Sequence, residues 1–540
     1  MRDVDLEILV VKEKMPQPLP PPTSWASLPH KGQLAVIMSV RVVDFFQVAC
    51  LQAFMFHQLR SFDRALPDGD VSFQTGVLQG VFTSAQIVTG VIWGRVADAP
   101  WGGRKLVLLI GLVGTGVSCV GVAFARSFTA AVAWRCLGGA VNGTVGAART
   151  TLAETVERRY HSRAFLLLPL AFNVANIFGP IFGGLLADPA HVFPRLFGPG
   201  STFGGRGGVG WMLAFPYAAP NLLSALLLFA DAALVFFCLR ETLPGLRYER
   251  DRGRELFESA KLRVHRLVFR RFGYAMVGKG HGPATTVDDD LDLSSSSLNL
   301  PMTPIPPGTP SKEHESRDGV PPTAAIFTTP NVLMVLLTVA IFDFQMGGFA
   351  SLWLVFLSSS RRQPTDPIQL PFKFTGGLAF PPSTLGMAMA ILGILGIILQ
   401  VTMYPSLNAR FGLLKSTRVS LFVFPAAYLL APYLSLAVAS PWALWCGITV
   451  VLLLQVGART FAMPGTILLI NNSAPHPRLL GTIHGLGAST SSAFRTIGPI
   501  IAGSWYARGL EMGTVGYAWW WLSAASVLGC VASLWAKDGS

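Results

Sequence analysis

Trp93-Gly94-Arg95-Val96-Ala97-Asp98-Ala99-Pro100-Trp101-Gly102-Gly103-Arg104-Lys105 is a short charged stretch set between two long apolar runs. A bilayer crossing takes about 20 apolar residues at 1.5 Å per residue, and each flanking run is that long. Two crossings joined by so short a connection lie antiparallel and bring Arg95, Asp98, Arg104 and Lys105 to one membrane face. The hairpin is therefore a candidate gate.

Working outward, composition agrees with a membrane protein. Half of the 540 residues (51%) are apolar and only 13% are charged, too few to solvate the surface of a soluble protein of this size. Twelve spans are predicted, at 33–56, 73–97, 105–125, 128–150, 163–187, 214–238, 326–357, 381–404, 415–438, 441–465, 480–503 and 517–536. The net charge of +13 does not point to nucleic acid, because the basic residues sit in short connections rather than along one face. With Met1 in the cytosol, Arg95, Arg104, Lys105, Arg158, Arg159, Arg163, Arg410, Lys415 and Arg418 all fall inside, as does the carboxy terminus. Met1 to Gly32 is polar, so no cleavable secretory signal opens the chain. The six cysteines lie in apolar runs without Cys-x-x-Cys spacing, which reads as packing rather than as disulfides or a metal site.

Four segments follow: a cytosolic tail at 1–32, a six-span half at 33–239, a cytosolic linker at 240–323 and a second six-span half at 324–536. Within the linker, Tyr248 to Phe272 alternates basic and apolar residues, as suits a helix on an anionic leaflet or a solvated one. Gly278 to Pro322 carries an aspartate run, a serine run and many prolines and is expected to be disordered; Thr303-Pro304 and Thr309-Pro310 are possible phosphorylation sites. Phe197 to Gly210 reads as a flexible external loop.

The halves echo each other. Val145-Gly146-Ala147-Ala148-Arg149-Thr150 returns as Val456-Gly457-Ala458-Arg459-Thr460. Phe178-Gly179-Pro180-Ile181-Phe182-Gly183-Gly184 returns as Ile497-Gly498-Pro499-Ile500-Ile501-Ala502-Gly503, and Val43-Asp44-Phe45-Phe46-Gln47 as Phe342-Asp343-Phe344-Gln345. Every echo pairs a span with the one six places later, so the halves are parallel repeats.

Gly94-x3-Asp98 followed by Gly103-Arg104-Lys105 resembles the loop signature of the major facilitator superfamily, with four residues instead of two between the aspartate and the second glycine. Ala175-x3-Gly179-Pro180-x2-Gly183-Gly184 resembles the antiporter motif of its drug:proton subfamily, with alanine at the first glycine; Arg135-x3-Gly139 resembles a third family motif. Asn142-Gly143, Arg149-Thr150 and Glu154 are similar to fungal multidrug carriers and plant zinc-induced-facilitator-like carriers. The resemblance implies an all-α fold of twelve transmembrane helices in two parallel six-helix halves. It also implies secondary transport, with export of a drug, metabolite or chelator in exchange for protons, by a monomer in the plasma or vacuolar membrane. No cofactor, metal or nucleic acid is implied. The gating residues carried over are Gly94, Asp98, Gly103, Arg104 and Lys105, and Gly179, Pro180, Gly183 and Gly184 form the antiporter-like helix motif. Small residues there permit close helix approach, and Pro180 removes a backbone donor.

Interior charges separate transport from scaffolding. Asp44 and Asp343 lie roughly 15 Å from either face, where a lipid-facing aspartate costs about 3 kcal/mol, so both are expected to face a wet cavity. With Arg135 they are the candidates for proton coupling. Arg149 and Arg459 lie toward the inner ends of their spans, where a snorkelling arginine and a cavity-facing one read alike. Asp231 has either a cavity or a neighbouring helix before it, and Trp519-Trp520-Trp521 reads as an interfacial belt. A nutrient uniporter or importer on the same fold would need no titrating carboxylate, and a receptor or scaffold no midplane aspartates. An enzyme finds no support, since the nine histidines form no cluster and no nucleophile has a base beside it.

Overall fold

The computed structural model describes residues 29–157, 160–205, 207–243, 245–246, 255, 329–363, 368–411, 413–473 and 480–536. Residues 1–28 of the amino-terminal tail, the stretch Tyr248 to Phe272 apart from Glu255, and the stretch Gly278 to Pro322 with both Thr-Pro dipeptides lie outside the described residues.

Twelve helical spans cross in the expected order. Spans 1 to 3 are Lys31–Gln52, Asp68–Asp98 and Arg104–Ala123; span 4 is Phe128–Val141, resumed as Thr144–Thr155; spans 5 and 6 are His161–Leu185 and Ala218–Cys238. Span 7 is Pro330–Ser358, span 8 is Pro382–Ile398 followed by a π-helical turn at Leu399–Met403, and span 9 is Leu413–Leu430, prolonged by a 3-10 helix at Ala431–Ala439. Spans 10 to 12 are Pro441–Asn472, Leu480–Glu511 and Tyr517–Trp535. Ten of the described helices are long and apolar enough to cross a membrane. The other two crossings fall short for visible reasons. Span 4 is broken at Asn142-Gly143, and span 11 carries the polar run Ser489-Thr490-Ser491-Ser492.

Helix ends alternate between two faces. The face bearing Arg95, Arg104 and Lys105 is called here the basic face. Near the opposite face a single apolar core runs through both sets of six spans, from Phe46, Phe54 and Phe56 to Trp353, Phe356, Phe424 and Tyr506. Toward the basic face the core divides. One cluster, Leu34 through Leu239, draws only on the first six spans, and another, Val332 through Ala536, only on the last six. The bundle is thus closed at one end and split at the other.

The closed end is made by glycines against backbone. Gly76 on span 2 has no room for a Cβ against the Pro499 carbonyl of span 11, and Gly503 of span 11 packs on the Ser72 carbonyl of span 2. By contrast, Gly90 and Gly94, further along span 2 toward the basic face, meet nothing within 4 Å, and Val88, Val91 and Ile92 are exposed.

Two expectations are corrected here. Trp519 is not part of an interfacial belt: it is fully buried, edge-on to Trp353 at 6.4 Å and to Phe356 at 5.7 Å, whereas Trp521 is exposed. A wide aromatic ring on span 12 fills the groove behind span 7 and takes its contact area there. The described residues of the stretch 197–210, all but residue 206, are tied by backbone pairs rather than loose, with Ser201 and Gly205 bridged and the Val209 N–H donating to the Phe197 carbonyl at 3.1 Å.

Candidate functional site: two buried ion pairs between the halves

Asp44 lies thirteen residues into span 1, roughly 20 Å from its basic-face end. It is buried and fully partnered. Arg41, one turn earlier, donates from Nη1 to Oδ2 at 2.6 Å, and Asn142 donates from Nδ2 to Oδ1 at 2.8 Å. The Thr144 hydroxyl lies 3.0 Å from Asp44 Oδ2 and 2.6 Å from Asn142 Oδ1 and donates to one of them. The break in span 4 makes this possible. Asn142 leaves helical geometry (φ −83°, ψ 84°) and its Oδ1 accepts the Thr144 N–H at 3.1 Å, a local side-chain turn that competes with the helix. Continuous helix would point both side chains elsewhere. The expectation of a wet environment for Asp44 therefore gives way to a buried polar network in which both carboxylate oxygens have side-chain partners.

Arg135 does not pair with Asp44. Its Nη1 donates to Gln47 Oε1 at 2.9 Å, one turn beyond Asp44, and its guanidinium carbon stands 4.2 Å over the Phe82 ring of span 2. It ties span 4 to spans 1 and 2 beside the carboxylate.

In the second half Asp343, also buried, takes its cation from another helix. Arg495 of span 11 donates from Nη2 at 2.6 Å and from Nε at 3.2 Å to the same Oδ1. The Arg495 side chain is 50% exposed at the middle of its span, so it borders the space between the halves. Arg41 and Arg495 were not singled out from the sequence. Arg41 carries a signal, since Arg-x2-Asp places opposite charges on one helix face; Arg495 carries none, because its partner lies 152 residues away. Asp231 faces span 1 from span 6, buried, with no partner for Oδ2 among the described residues.

At the basic face Arg104 is the hub of the hairpin. It donates to the Ala97 carbonyl, pairs with Asp98 at 3.0 Å and with Glu154 at 3.0 Å. Glu241, placed by the sequence reading at the start of the linker, instead caps span 3: Oε1 accepts the Arg104 N–H at 3.1 Å and Oε2 the Lys105 N–H at 2.9 Å. These are orphan donors of a helix start, where a carboxylate is favoured. Gly103 has φ +92°, which favours glycine, and a Cβ there would stand 2.5 Å from Glu241 Oε2, so a side chain would also push that carboxylate off its cap. Gly94 lies open, and Asp98 ends span 2 largely exposed.

At the opposite face the antiporter-like motif divides its contacts. Gly179 and Gly183 pack on the backbone of Phe46 and Cys50 in span 1, while Gly184 abuts the Pro382 carbonyl of span 8 and the Pro180 carbonyl abuts Gly386. Its echo does the same, with Gly498 on Phe344 of span 7 and with Pro499 and Gly503 on span 2. One face of each motif thus joins its own half and the other face joins the partner half. Nearby, Asp68 accepts Arg60 Nη1 at 2.6 Å and the backbone N–H of Ser360, from the far half, at 2.8 Å.

The description Major Facilitator Superfamily matches residues 69–499. A multidrug transporter of that superfamily, mfsB of Aspergillus fumigatus, is 30% identical over 95% of this chain and 84% of its own length. Protein ZINC INDUCED FACILITATOR 1 of Arabidopsis thaliana is 21% identical over 89% of this chain and 85% of its own. Among solved structures, a D-xylose-proton symporter superposes with a TM-score of 0.61 at 10% identity, over 94% of this chain and 98% of that one. With the twelve spans, the repeated motif and the closed and split ends, these matches make the chain a member of the major facilitator superfamily, a multi-pass membrane transporter of small molecules and not an enzyme.

Proposed function

We propose that this transporter is a proton-coupled exporter of small organic solutes, with the basic face, both termini and the 240–323 linker in the cytosol. The observation that carries it is the pair of buried carboxylates at repeat-equivalent places, Asp44 and Asp343, each held by an arginine, Arg41 from the same helix in one half and Arg495 from span 11 in the other. Burying charge is expensive, and a carboxylate whose pairing one proton can break is suited to coupling, which supports this reading over pairs that only fix helix packing. The name of mfsB, a multidrug transporter, supports export of organic solutes.

On this reading the split end is a cytosol-open state ready for loading. The halves 33–239 and 324–536 rock about the glycine seam, and the seam opens in the other state. Asp98 then leaves Arg104 for the start of span 11 near Leu480, where helix-end donors favour a carboxylate. A proton arriving at Asp44 from the acidic side neutralises it and frees Arg41, which repacks the Asn142–Thr144 turn and weakens cargo binding; losing the proton to the cytosol restores the network. Asp343 and Arg495 repeat the step in the second half. Both halves and the whole seam lie within one chain, which supports a monomer working in the lipid bilayer.

The test uses vesicles with an imposed pH gradient. Asp44→Asn is expected to abolish gradient-driven accumulation while exchange or binding of cargo survives, with Asp343→Asn milder. Full accumulation by both variants would remove these carboxylates from coupling and favour the uniporter.

A further inference from the structure

We infer that the cargo carries an anionic group, a carboxylate, sulfonate or phosphate, and that Arg149 and Arg459 are the residues that hold it. The inference rests on the exporter reading above and adds the chemical class of what is exported.

Charge balance is the first observation. Among the described residues, the span interiors carry Arg41, Arg135, Arg149, Arg459 and Arg495 against Asp44, Asp231 and Asp343. Arg41 and Arg495 are neutralised by Asp44 and Asp343, while Arg135 keeps its charge but has a hydrogen bond to the neutral Gln47 amide and the Phe82 ring beneath it. Neither a carboxylate nor a hydrogen bond engages Arg149 or Arg459 among the described residues, and Asp231 is buried on span 6 without a cation. Uncompensated positive charge in a low-dielectric space is unfavourable until an anion fills it, and walls of low dielectric focus the field on any that approaches.

Direction is the second. An arginine that snorkels to headgroups points at lipid. Arg149 is exposed, yet it feels the like charges of Arg41 on span 1 and Arg495 on span 11, so it looks into the space between the halves. Arg459, partly buried on span 10, stands with its guanidinium carbon 5.3 Å over the Phe172 ring of span 5, in the opposite half. The repeat brings them there, since they occupy matching places in the echoed segments at Val145 to Thr150 and Val456 to Thr460.

The third observation concerns what surrounds them. Phe172 is edge-on to Phe45 at 5.1 Å, and Arg41 stands 4.3 Å over Phe45. An arc of cation, ring, ring and cation therefore crosses between the halves at the level of Asp44. Aromatic faces take a flat apolar body, while an unpaired guanidinium offers a fork of donors to a planar anion. A flat amphiphilic organic anion fits both.

The test reads charge selectivity without knowing the natural cargo. Gly146→Cys places a thiol one turn before Arg149, at an exposed position with nothing within 4 Å, in a full-length chain whose exposed Cys136 and Cys446 are changed to serine. Its rates with the anionic 2-sulfonatoethyl and the cationic 2-trimethylammonioethyl methanethiosulfonates are compared with those of a free thiol. The anionic reagent is expected to gain at least about fivefold over its free-thiol ratio. Arg149→Gln and Arg459→Gln each remove most of that gain, and Arg149→Lys and Arg459→Lys retain it. Naphthalene-2-sulfonate is expected to protect the thiol where tetraphenylphosphonium does not, with about tenfold weaker protection in either glutamine variant. A free-thiol ratio, a thiol that reacts with neither reagent, or protection by the phosphonium alone or by neither compound overturns the assignment. None of these readouts involves a pH gradient, so failure here leaves the proton-coupled reading standing, and failure of that coupling leaves this one.

Discussion

Gly184→Ala is expected to push the closed face open while the protein remains folded. Gly184 abuts the Pro382 carbonyl, and a methyl there would also stand 3.1 Å from Ser383 Cα. Ordinary carbon contacts need about 3.5 to 4.0 Å, so spans 5 and 8 must part by roughly 1 Å. Overpacking of this kind costs about 1 to 3 kcal/mol, and it falls only on the state in which the two spans touch. The gain of about 0.5 to 1 kcal/mol from replacing a helical glycine acts on both states and cancels. With tenfold per 1.4 kcal/mol, the balance moves by roughly 5- to 150-fold toward the state open at the opposite face. The assay is a pulsed electron-resonance distance between spin labels introduced by Arg64→Cys and Lys373→Cys, exposed positions at that face on the two halves, in a background lacking Cys136 and Cys446. A longer-distance population is expected in Gly184→Ala and, by the repeat, in Gly503→Ala. Gly146→Ala, where nothing lies within 4 Å, serves as the control. An unchanged distribution in folded Gly184→Ala would refute the role of the seam.

The other expectations are shorter. Glycosylation tags after Asp68 and within 240–323 are expected to be modified only at the former; modification in the linker overturns the orientation. Asp98→Asn is expected to slow transport severalfold while thermal stability changes by at most about 1 kcal/mol, because Asp98 is exposed and the buried Arg104 keeps its pair with Glu154; unaltered turnover removes Asp98 from the gate. His57 lies in the short helix Met55–Phe62 beside Arg60 and Asp68, and burial pushes its imidazole down to about 4. The neutral ring is thus favoured when the face is closed, so closure is strongest above the ordinary value of 6.5 and weakens as pH falls from there toward 4. The same pair of spin labels should show opening over that window, and His57→Gln should flatten the dependence.

Much of this protein is one-dimensional information. Apolar run length fixes the number of crossings, because a bilayer sets one thickness for every span. Lys and Arg in the connections bias each end toward a face, and the echoes at Gly179-Pro180 and Gly498-Pro499 mark the repeat without any coordinates. Close packing at Gly183 and Gly184 was legible for the same reason, since a missing side chain matters wherever two helices meet. The pairings were not legible. A span is apolar on the side facing lipid and on the side facing its neighbours, so hydropathy leaves helix rotation undetermined, and rotation decides what each side chain meets. Only packing turned Trp519 into the core and Trp521 outward, brought Arg495 across 152 residues to Asp343, and set Glu241 on the start of span 3. Only the three-dimensional break at Asn142-Gly143 aimed Asn142 and Thr144 at Asp44, and so placed that carboxylate in a buried network with Arg41 rather than facing open cavity. Tertiary structure decides these points because each depends on the phase of one helix against another, a quantity that no single stretch of sequence contains.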